Sequence, residues 1–166
     1  MNKKTKTIVF SALMAAIIAV CTRFTAFGIP ATEGYVHIGD TFVLLSATIL
    51  PLPYAVMASA VGGALADLMY GSAMYMIPTA IIKALMALTV GKSSGTKILT
   101  KKTILRAILS VPVLVLGYYI AEVIIFGSFA TPLMSMLWNT LQGVFSVIAF
   151  TAVAAALDAA KFKSRI

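Results

Sequence analysis

Eleven of the thirteen lysines and arginines in this chain stand in three clusters, and the sequence between the clusters is nearly free of charge. The N-terminus holds Lys3, Lys4 and Lys6, a central segment holds Lys92, Lys97, Lys101, Lys102 and Arg106, and the C-terminus holds Lys161, Lys163 and Arg165. Uncharged stretches run from Thr7 to Thr22, Thr41 to Ala66, Leu68 to Ile82, Ala107 to Ala121 and Val123 to Leu157. A helix that crosses a bilayer needs roughly 20 apolar residues at about 1.5 Å each. The stretches therefore read as membrane spans, and the clusters as the ends that these spans share. Basic residues collect on the cytoplasmic side of membrane proteins, which places all three clusters there.

Composition agrees. At 166 residues, with 61% hydrophobic and 11% charged residues and a mean hydropathy of +1.02, the chain has too little polar surface to cover a soluble fold of its size. The expectation is an all-α integral membrane protein. A net charge of +8 also occurs in nucleic-acid binders, but here the charges sit at span ends without a basic stripe or interleaved aromatics. Contact with the lipid bilayer and its anionic headgroups accounts for them, and no nucleic-acid partner is expected. Cys21 is the single cysteine, which rules out an internal disulfide and a thiol-based metal site. Lys3, Lys4 and Lys6 ahead of the apolar run from Ile8 to Val20 have the layout of a secretory signal. No small-x-small cleavage site follows, and Val20 before Cys21 does not suit a lipoprotein signal, so this run is taken as the first span.

The longer stretches must be cut at their breakers. Pro51-Leu52-Pro53 divides one, because proline cannot continue an ordinary helix and pushes the residue before it out of the α region. Gly71-Ser72 marks the next turn, and the segment from Gly127 to Pro132 separates the last two spans. Six transmembrane helices result, at approximately 7 to 25, 38 to 51, 53 to 71, 75 to 91, 105 to 126 and 134 to 158, in a single membrane domain. An even number of crossings returns the chain to its starting side, with both termini cytoplasmic. The segment from Phe24 to Val36, with Gly28, Pro30, Glu33 and Gly34, is too polar to span, and it is long for a connection in a bundle.

An ionisable side chain inside a bilayer costs about 2.5 to 3.5 kcal/mol on insertion scales, so each needs a partner or a functional role. Asp40, Asp67 and Glu122 fall near the outer ends of their helices, and Lys83 falls in the middle of the fourth. Pairing with Asp67, snorkelling along its stem, or contact with a ligand would each answer the cost of Lys83. Tyr75, Thr79 and Lys83 recur every four residues and form one polar stripe descending from the outer side. Tyr118 precedes Glu122 by one turn, a spacing that fits a phenol capping the carboxylate or a pair holding a hydroxyl-rich ligand. Asn139, Gln142, Gly143 and Ser146 share a face of the last helix, and an amide in hydrocarbon demands partners. Trp138 beside them suits an interfacial belt.

His37 is the only histidine, and no second nitrogen or sulfur ligand accompanies it, so a hydrogen bond at the end of the loop is expected and no metal. Catalytic motifs are absent: there is no G-x-S-x-G, no H-E-x-x-H and no phosphate loop. Enzymatic activity and a cofactor are therefore not expected, and any ATP-driven step needs another chain. Small residues at one-turn spacing, Ala12, Ala15, Ala16 and Ala19 in the first helix and Ser59, Gly62, Gly63 and Ala66 in the third, let helices approach closely in lipid.

Ile38-Gly39-Asp40, the run from Ala58 through Gly62-Gly63 to Asp67, and Tyr75, Pro78 and Ile82-Lys83 together resemble the substrate-binding (S) components of energy-coupling-factor (ECF) vitamin transporters. The resemblance is to the riboflavin-type branch, which also includes proteins assigned to hydroxymethylpyrimidine and pyridoxine, and it covers essentially the whole chain. Ala84 departs from the pattern, where a glycine would follow Lys83. The resemblance implies a six-helix subunit in a prokaryotic plasma membrane that works with a transmembrane coupling (T) subunit and two ATPase subunits. It also implies that Ala12 and Ala16 face the coupling subunit, and that the substrate pocket lies near the outer side, built from the first outer loop and helices 4 to 6. The polar residues found above supply the candidate site: Tyr75, Thr79, Lys83, Tyr118, Glu122, Asn139, Gln142 and His37. Such a set suits a small hydroxylated ring, with pyridoxine or hydroxymethylpyrimidine favoured over riboflavin or thiamine. The rival reading is a small membrane scaffold whose polar residues pair only among themselves.

Overall fold

The computed structural model describes residues 2–29, 34–93 and 95–164; Pro30, Glu33 and Arg165 lie outside the described residues. Six α-helices occur among those described: α1 (Lys3–Phe24), α2 (Asp40–Ile49), α3 (Leu52–Tyr70), α4 (Met76–Val90), α5 (Lys101–Phe126) and α6 (Leu133–Ala159). A 3-10 turn, Ala73–Tyr75, leads into α4, and another, Phe162–Ser164, follows α6. Between α1 and α2 the chain forms two short antiparallel strands, β1 (Phe27–Gly28) and β2 (Tyr35–Val36), in the connection too polar to span.

Local chemistry sets several boundaries. Helix α1 starts at Lys3, earlier than the apolar run, because the Asn2 side chain accepts the Lys4 N–H as an N-cap. Helix α5 starts at Lys101, ahead of the expected 105, because Thr100 and Thr103 form a reciprocal capping box. Helix α3 ends at Tyr70, with Gly71 in the left-handed conformation after it.

Five helical segments are long and apolar enough to cross a membrane. Helix α2 differs from the expected span at 38 to 51. Its 10 residues reach about 15 Å, half of a typical hydrocarbon core. Nine of the ten are buried, Val43, Leu44 and Ala47 almost completely. Its polar side chains are buried with the apolar ones, Ser46 and Thr48 bonding backbone carbonyls of the helix itself, and α2 is enclosed by α1, α3, α4 and α6. The surrounding helices turn large apolar side chains outward instead, among them Leu13, Ile77, Ile124 and Phe145.

The small-residue ridges bring the central helices together. A Cβ on Gly62 would lie 2.7 Å from the Ala15 carbonyl oxygen of α1, and one on Gly63 would lie 2.9 Å from the Lys83 and Thr79 side chains of α4. Helix α3 is thus pressed between α1 and α4, and only glycine permits both approaches. On α1 the alanines divide: Ala15 and Ala19 are buried, whereas Ala12 and Ala16 are exposed.

The three basic clusters meet at one end of the bundle. Lys163 Nζ donates to the Ser93 carbonyl (2.8 Å), Arg106 donates to the Val90 carbonyl (3.1 Å), and Asp158 accepts the N–H groups of Ile98 (2.7 Å) and Leu99 (2.8 Å). Lys3 and Lys6 share a cleft there with Lys92 and Lys163. Strand β2 lies at the opposite end, with Tyr35 bonded to Asp67 near the end of α3, and His37 bonded to Gly39 at the start of α2.

Candidate functional site

Two polar assemblies occupy that opposite end. The first is a latch at the head of α2. Asp40, the first residue of α2, is completely buried and sits 2.6 Å from Lys83 Nζ of α4. Its second oxygen accepts from Gln142 Nε2 of α6 (2.8 Å). The Gln142 carbonyl oxygen accepts the backbone N–H of His37 (3.1 Å), and His37 Nδ1 accepts the Gly39 N–H (3.0 Å). One carboxylate thereby ties together α2, α4, α6 and the connecting loop. Gly39 must lack a side chain, since a Cβ would come within 2.9 Å of the Thr22 backbone in α1. Burial lowers the His37 pKa to about 4, with Asp40 opposing and Lys83 adding to the shift. The imidazole is neutral, with Nδ1 as its acceptor.

Lys83 therefore pairs with Asp40 and not with Asp67. The reason is tertiary: α2 begins at the depth that α4 has reached by Lys83, so two residues 43 positions apart in sequence meet across the bundle. The ammonium also lies 5.3 Å from the centre of the Tyr118 ring, a cation–π distance. His37 meets the expectation of a hydrogen bond at the loop end.

The second assembly is a narrow cleft beside the latch, with about 270 Å³ of space between atoms, lined by Ile29, Gly34, Tyr35, Asp67, Tyr75, Tyr118, Glu122 and Asn139. The cleft is so narrow that it has room for roughly a single water. Tyr35 in β2 donates to Asp67 Oδ1 of α3 (2.6 Å) and stacks on Tyr70 with ring centres 4.1 Å apart. Phe27 in β1 packs on Trp138 of α6 at 6.4 Å. These contacts hold β1 and β2 as a roof over the cleft. Arg23 lies over the far side of the stack, 5.4 Å from the Tyr70 ring, and donates to the Met69 carbonyl. Burial, followed by the Asp67 charge, pushes the Tyr35 phenol well above its usual range, so it remains a donor.

Opposite Asp67, the Tyr75 hydroxyl donates to Glu122 Oε1 (3.3 Å), and Ser135 of α6 also hydrogen-bonds that carboxyl. Tyr118 hydrogen-bonds Thr79 (3.0 Å). The expected cap of Glu122 by Tyr118, one turn before it, is thus replaced by a phenol from the neighbouring helix. Tyr75 and Tyr118 face each other at 6.4 Å, tilted by 56°. Thr79 and Ser135 stand beside the Asp67 and Glu122 carboxyls, but no donor reaches the buried Oδ2 of Asp67 or Oε2 of Glu122 with hydrogen-bond geometry. Two unmatched carboxylate oxygens within one cleft are costly, at about 1 to 3 kcal/mol each.

Of the eight candidates read from the sequence, Tyr75, Tyr118, Glu122 and Asn139 line the cleft, and Thr79 braces it through Tyr118. Lys83, Gln142 and His37 belong to the latch. Tyr35, Ile29 and Gly34 come from the connection expected over the site, but helix periodicity could not single them out within it. Asp67 was offered only as a partner for Lys83, and the cost of an isolated acid in a span was the one signal that pointed to it.

Two comparisons bear on this arrangement. Residues 2–159 match the family described as "ECF-type riboflavin transporter, S component". A protein of Pyrococcus woesei described as "Uncharacterized protein in gap 3'region" is 30% identical over 110 residues, 66% of this chain and 74% of that relative. With a match along almost its entire length, an apolar helical bundle and a polar cleft at one end, the chain belongs to the family of ECF-type riboflavin transporter S components, membrane proteins that bind substrate for vitamin uptake.

Proposed function

We propose that this protein captures a small, donor-rich heteroaromatic vitamin or precursor, pyridoxine or hydroxymethylpyrimidine, in the cleft under the β1–β2 roof. The observation that carries this reading is the pair of unmatched oxygens, Asp67 Oδ2 and Glu122 Oε2. With Lys83 already committed to Asp40, the cleft is rich in acceptors, and its best complement is a ring bearing hydroxyl, amino or ring N–H donors. Tyr75 and Tyr118 supply the aromatic faces. The alternative is riboflavin, which the family's description favours. The rim of its isoalloxazine ring carries mostly acceptors, which would face the carboxylates.

The cleft is too narrow for a ring as it stands, so entry requires the roof to lift from Trp138 and Tyr70. The site lies at the end opposite the basic clusters, and by the positive-inside rule that end is extracellular. Both termini are then cytoplasmic. The chain forms one membrane unit in a prokaryotic plasma membrane, with the short α2, enclosed by its neighbours, making the second crossing. ATP hydrolysis resides in partner subunits, and the exposed pair Ala12 and Ala16 is the contact for the coupling subunit.

Trp138 is the only tryptophan and touches the roof, so its fluorescence reports binding. Titration of the purified protein with pyridoxine, hydroxymethylpyrimidine, thiamine and riboflavin should give the highest affinity for one of the first two. Glu122→Gln and Asn139→Leu should each weaken that binding by about one to two decades, as expected when buried polar groups lose their partners. Tighter binding of riboflavin would replace the substrate assignment. Binding of none of the four would refute vitamin capture.

A further inference from the structure

The charges at the roofed end do not balance. Outside the three basic clusters the chain has two cationic side chains, Arg23 and Lys83. Lys83 is engaged by Asp40 at 2.6 Å. Arg23 donates to the Met69 carbonyl and covers the Tyr70 ring, with the Tyr70 and Tyr35 rings between it and Asp67. His37 is neutral, accepting the Gly39 N–H at Nδ1. Residues 30–33, outside the described residues, read Pro-Ala-Thr-Glu and add no base to the roof. Asp67 and Glu122, each 2% exposed, are therefore two carboxylates in one cleft with no base to match either. The groups beside them are uncharged: Tyr35 and Thr79 at Asp67, Tyr75 and Ser135 at Glu122. A neutral donor eases an anion but leaves its charge in place, and an uncompensated charge away from water is costly.

We propose that the ligand of the roofed cleft is a cation, a heteroaromatic ring bearing a protonated amine or a charged ring N–H, whose charge Asp67 and Glu122 match. This rests on the reading of the cleft as the vitamin site and narrows its ligand from donor-rich to positively charged. One oxygen of each acid, Asp67 Oδ2 and Glu122 Oε2, is buried with no donor in reach, so each acid has an acceptor to offer. Hydrogen bonds from a charged donor to a carboxylate are roughly twice as strong as those between neutral groups, so a cation gains more here than a hydroxyl does. Tyr75 and Tyr118 line the same cleft with ring centres 6.4 Å apart, and the faces of such rings attract cations. Lys83, 5.3 Å from the centre of the Tyr118 ring, already makes one contact of that kind.

Pyridoxamine and pyridoxine differ in one arm, an ammonium in the first and a hydroxyl in the second, so the pair isolates the charge. Titrated at neutral pH into the purified full chain, with Trp138 fluorescence as the readout, pyridoxamine should bind tighter by about tenfold or more. This comparison needs no variant, so it decides the matter even where a variant fails to fold. Asp67→Asn keeps an acceptor for Tyr35 and Glu122→Gln keeps one for Tyr75, so each removes charge with little change of shape. In each variant the preference for pyridoxamine should fall by about threefold or more, and in the double variant it should disappear. Equal or tighter binding of pyridoxine by the native chain would show that the two carboxyls are protonated, and would overturn the cation assignment while leaving vitamin capture intact. Binding of neither member of the pair also overturns it, and failure of hydroxymethylpyrimidine, thiamine and riboflavin as well would refute the reading beneath it. A preference that survives the double variant would put the ammonium elsewhere and remove Asp67 and Glu122 from its recognition. Competition by sodium chloride, but not by choline chloride at the same ionic strength, would give the cleft to an inorganic cation, and the proposal fails.

Discussion

A single carboxylate decides how the roofed end of the bundle is built. Asp40 takes an ion pair from Lys83 and a hydrogen bond from Gln142, and removing one member of such a buried pair leaves the other charge unmatched, at about 3 to 5 kcal/mol. Lys83→Met should therefore lower thermal stability in detergent sharply. Combining it with Asp40→Asn should recover most of the loss, because no buried charge remains and the amide oxygen still accepts from Gln142. Recovery with Asp67→Asn in place of Asp40→Asn would contradict the pairing. His37 adds a pH dependence to the same latch. The unfolded chain takes up a proton at the ordinary histidine pKa of about 6.5, whereas the native imidazole resists until about 4. Stability is then fully present above 6.5 and falls as the pH drops towards 4, by on the order of 3 kcal/mol. His37→Asn keeps an acceptor for the Gly39 N–H in an Asx turn and should flatten the dependence of Tm on pH across that interval. An unchanged slope would place the proton uptake elsewhere.

Helix α1 presents two faces with different roles. Ala15 backs onto Gly62 of α3, where a Cβ would meet the Ala15 carbonyl at 2.7 Å, so a large side chain at either position forces the helices apart. Ala12 and Ala16 face outward and lie far along α1 from the roofed cleft. Ala12→Trp or Ala16→Trp should abolish uptake by the assembled transporter and leave vitamin binding by the isolated protein within about twofold, since exposed substitutions away from packed features change little. Ala15→Trp should instead reduce thermal stability and binding together. Normal uptake by both exposed variants would remove that face of α1 from the coupling contact. The short α2 follows the same logic of faces: enclosed by four neighbours, it has no lipid-facing side, and its length is set by the interior and not by the thickness of the bilayer.

At the scale of the molecule, the two ends differ in charge and in chemistry. One gathers three basic clusters, the other a roofed cleft lined with acids and tyrosines. Orientation follows from that asymmetry. In a Cys21→Ala background, Lys102→Cys should resist a membrane-impermeant thiol reagent applied to intact cells, and Ala130→Cys, exposed between α5 and α6, should react. The reverse pattern would invert the protein in the membrane and place the cleft inside the cell.

The sequence by itself determined the helices, their order and the gathering of basic residues at one end, because charge-free length and proline breaks are local properties that the bilayer reads directly. It also marked Tyr75, Tyr118, Glu122 and Asn139 as residues in need of a partner, since the cost of a polar group in lipid is independent of the fold. What it left open was who meets whom. Spacing along the chain offered Lys83 only Asp67 as an ion-pair partner, and the packing of α2 inside the other helices put Asp40 at 2.6 Å instead. Tyr35 became the donor to Asp67 only when the polar connection folded back across the end of the bundle. Such pairings depend on distances between helices, and those are fixed by tertiary contacts such as the glycines of α3, which no spacing along the chain encodes.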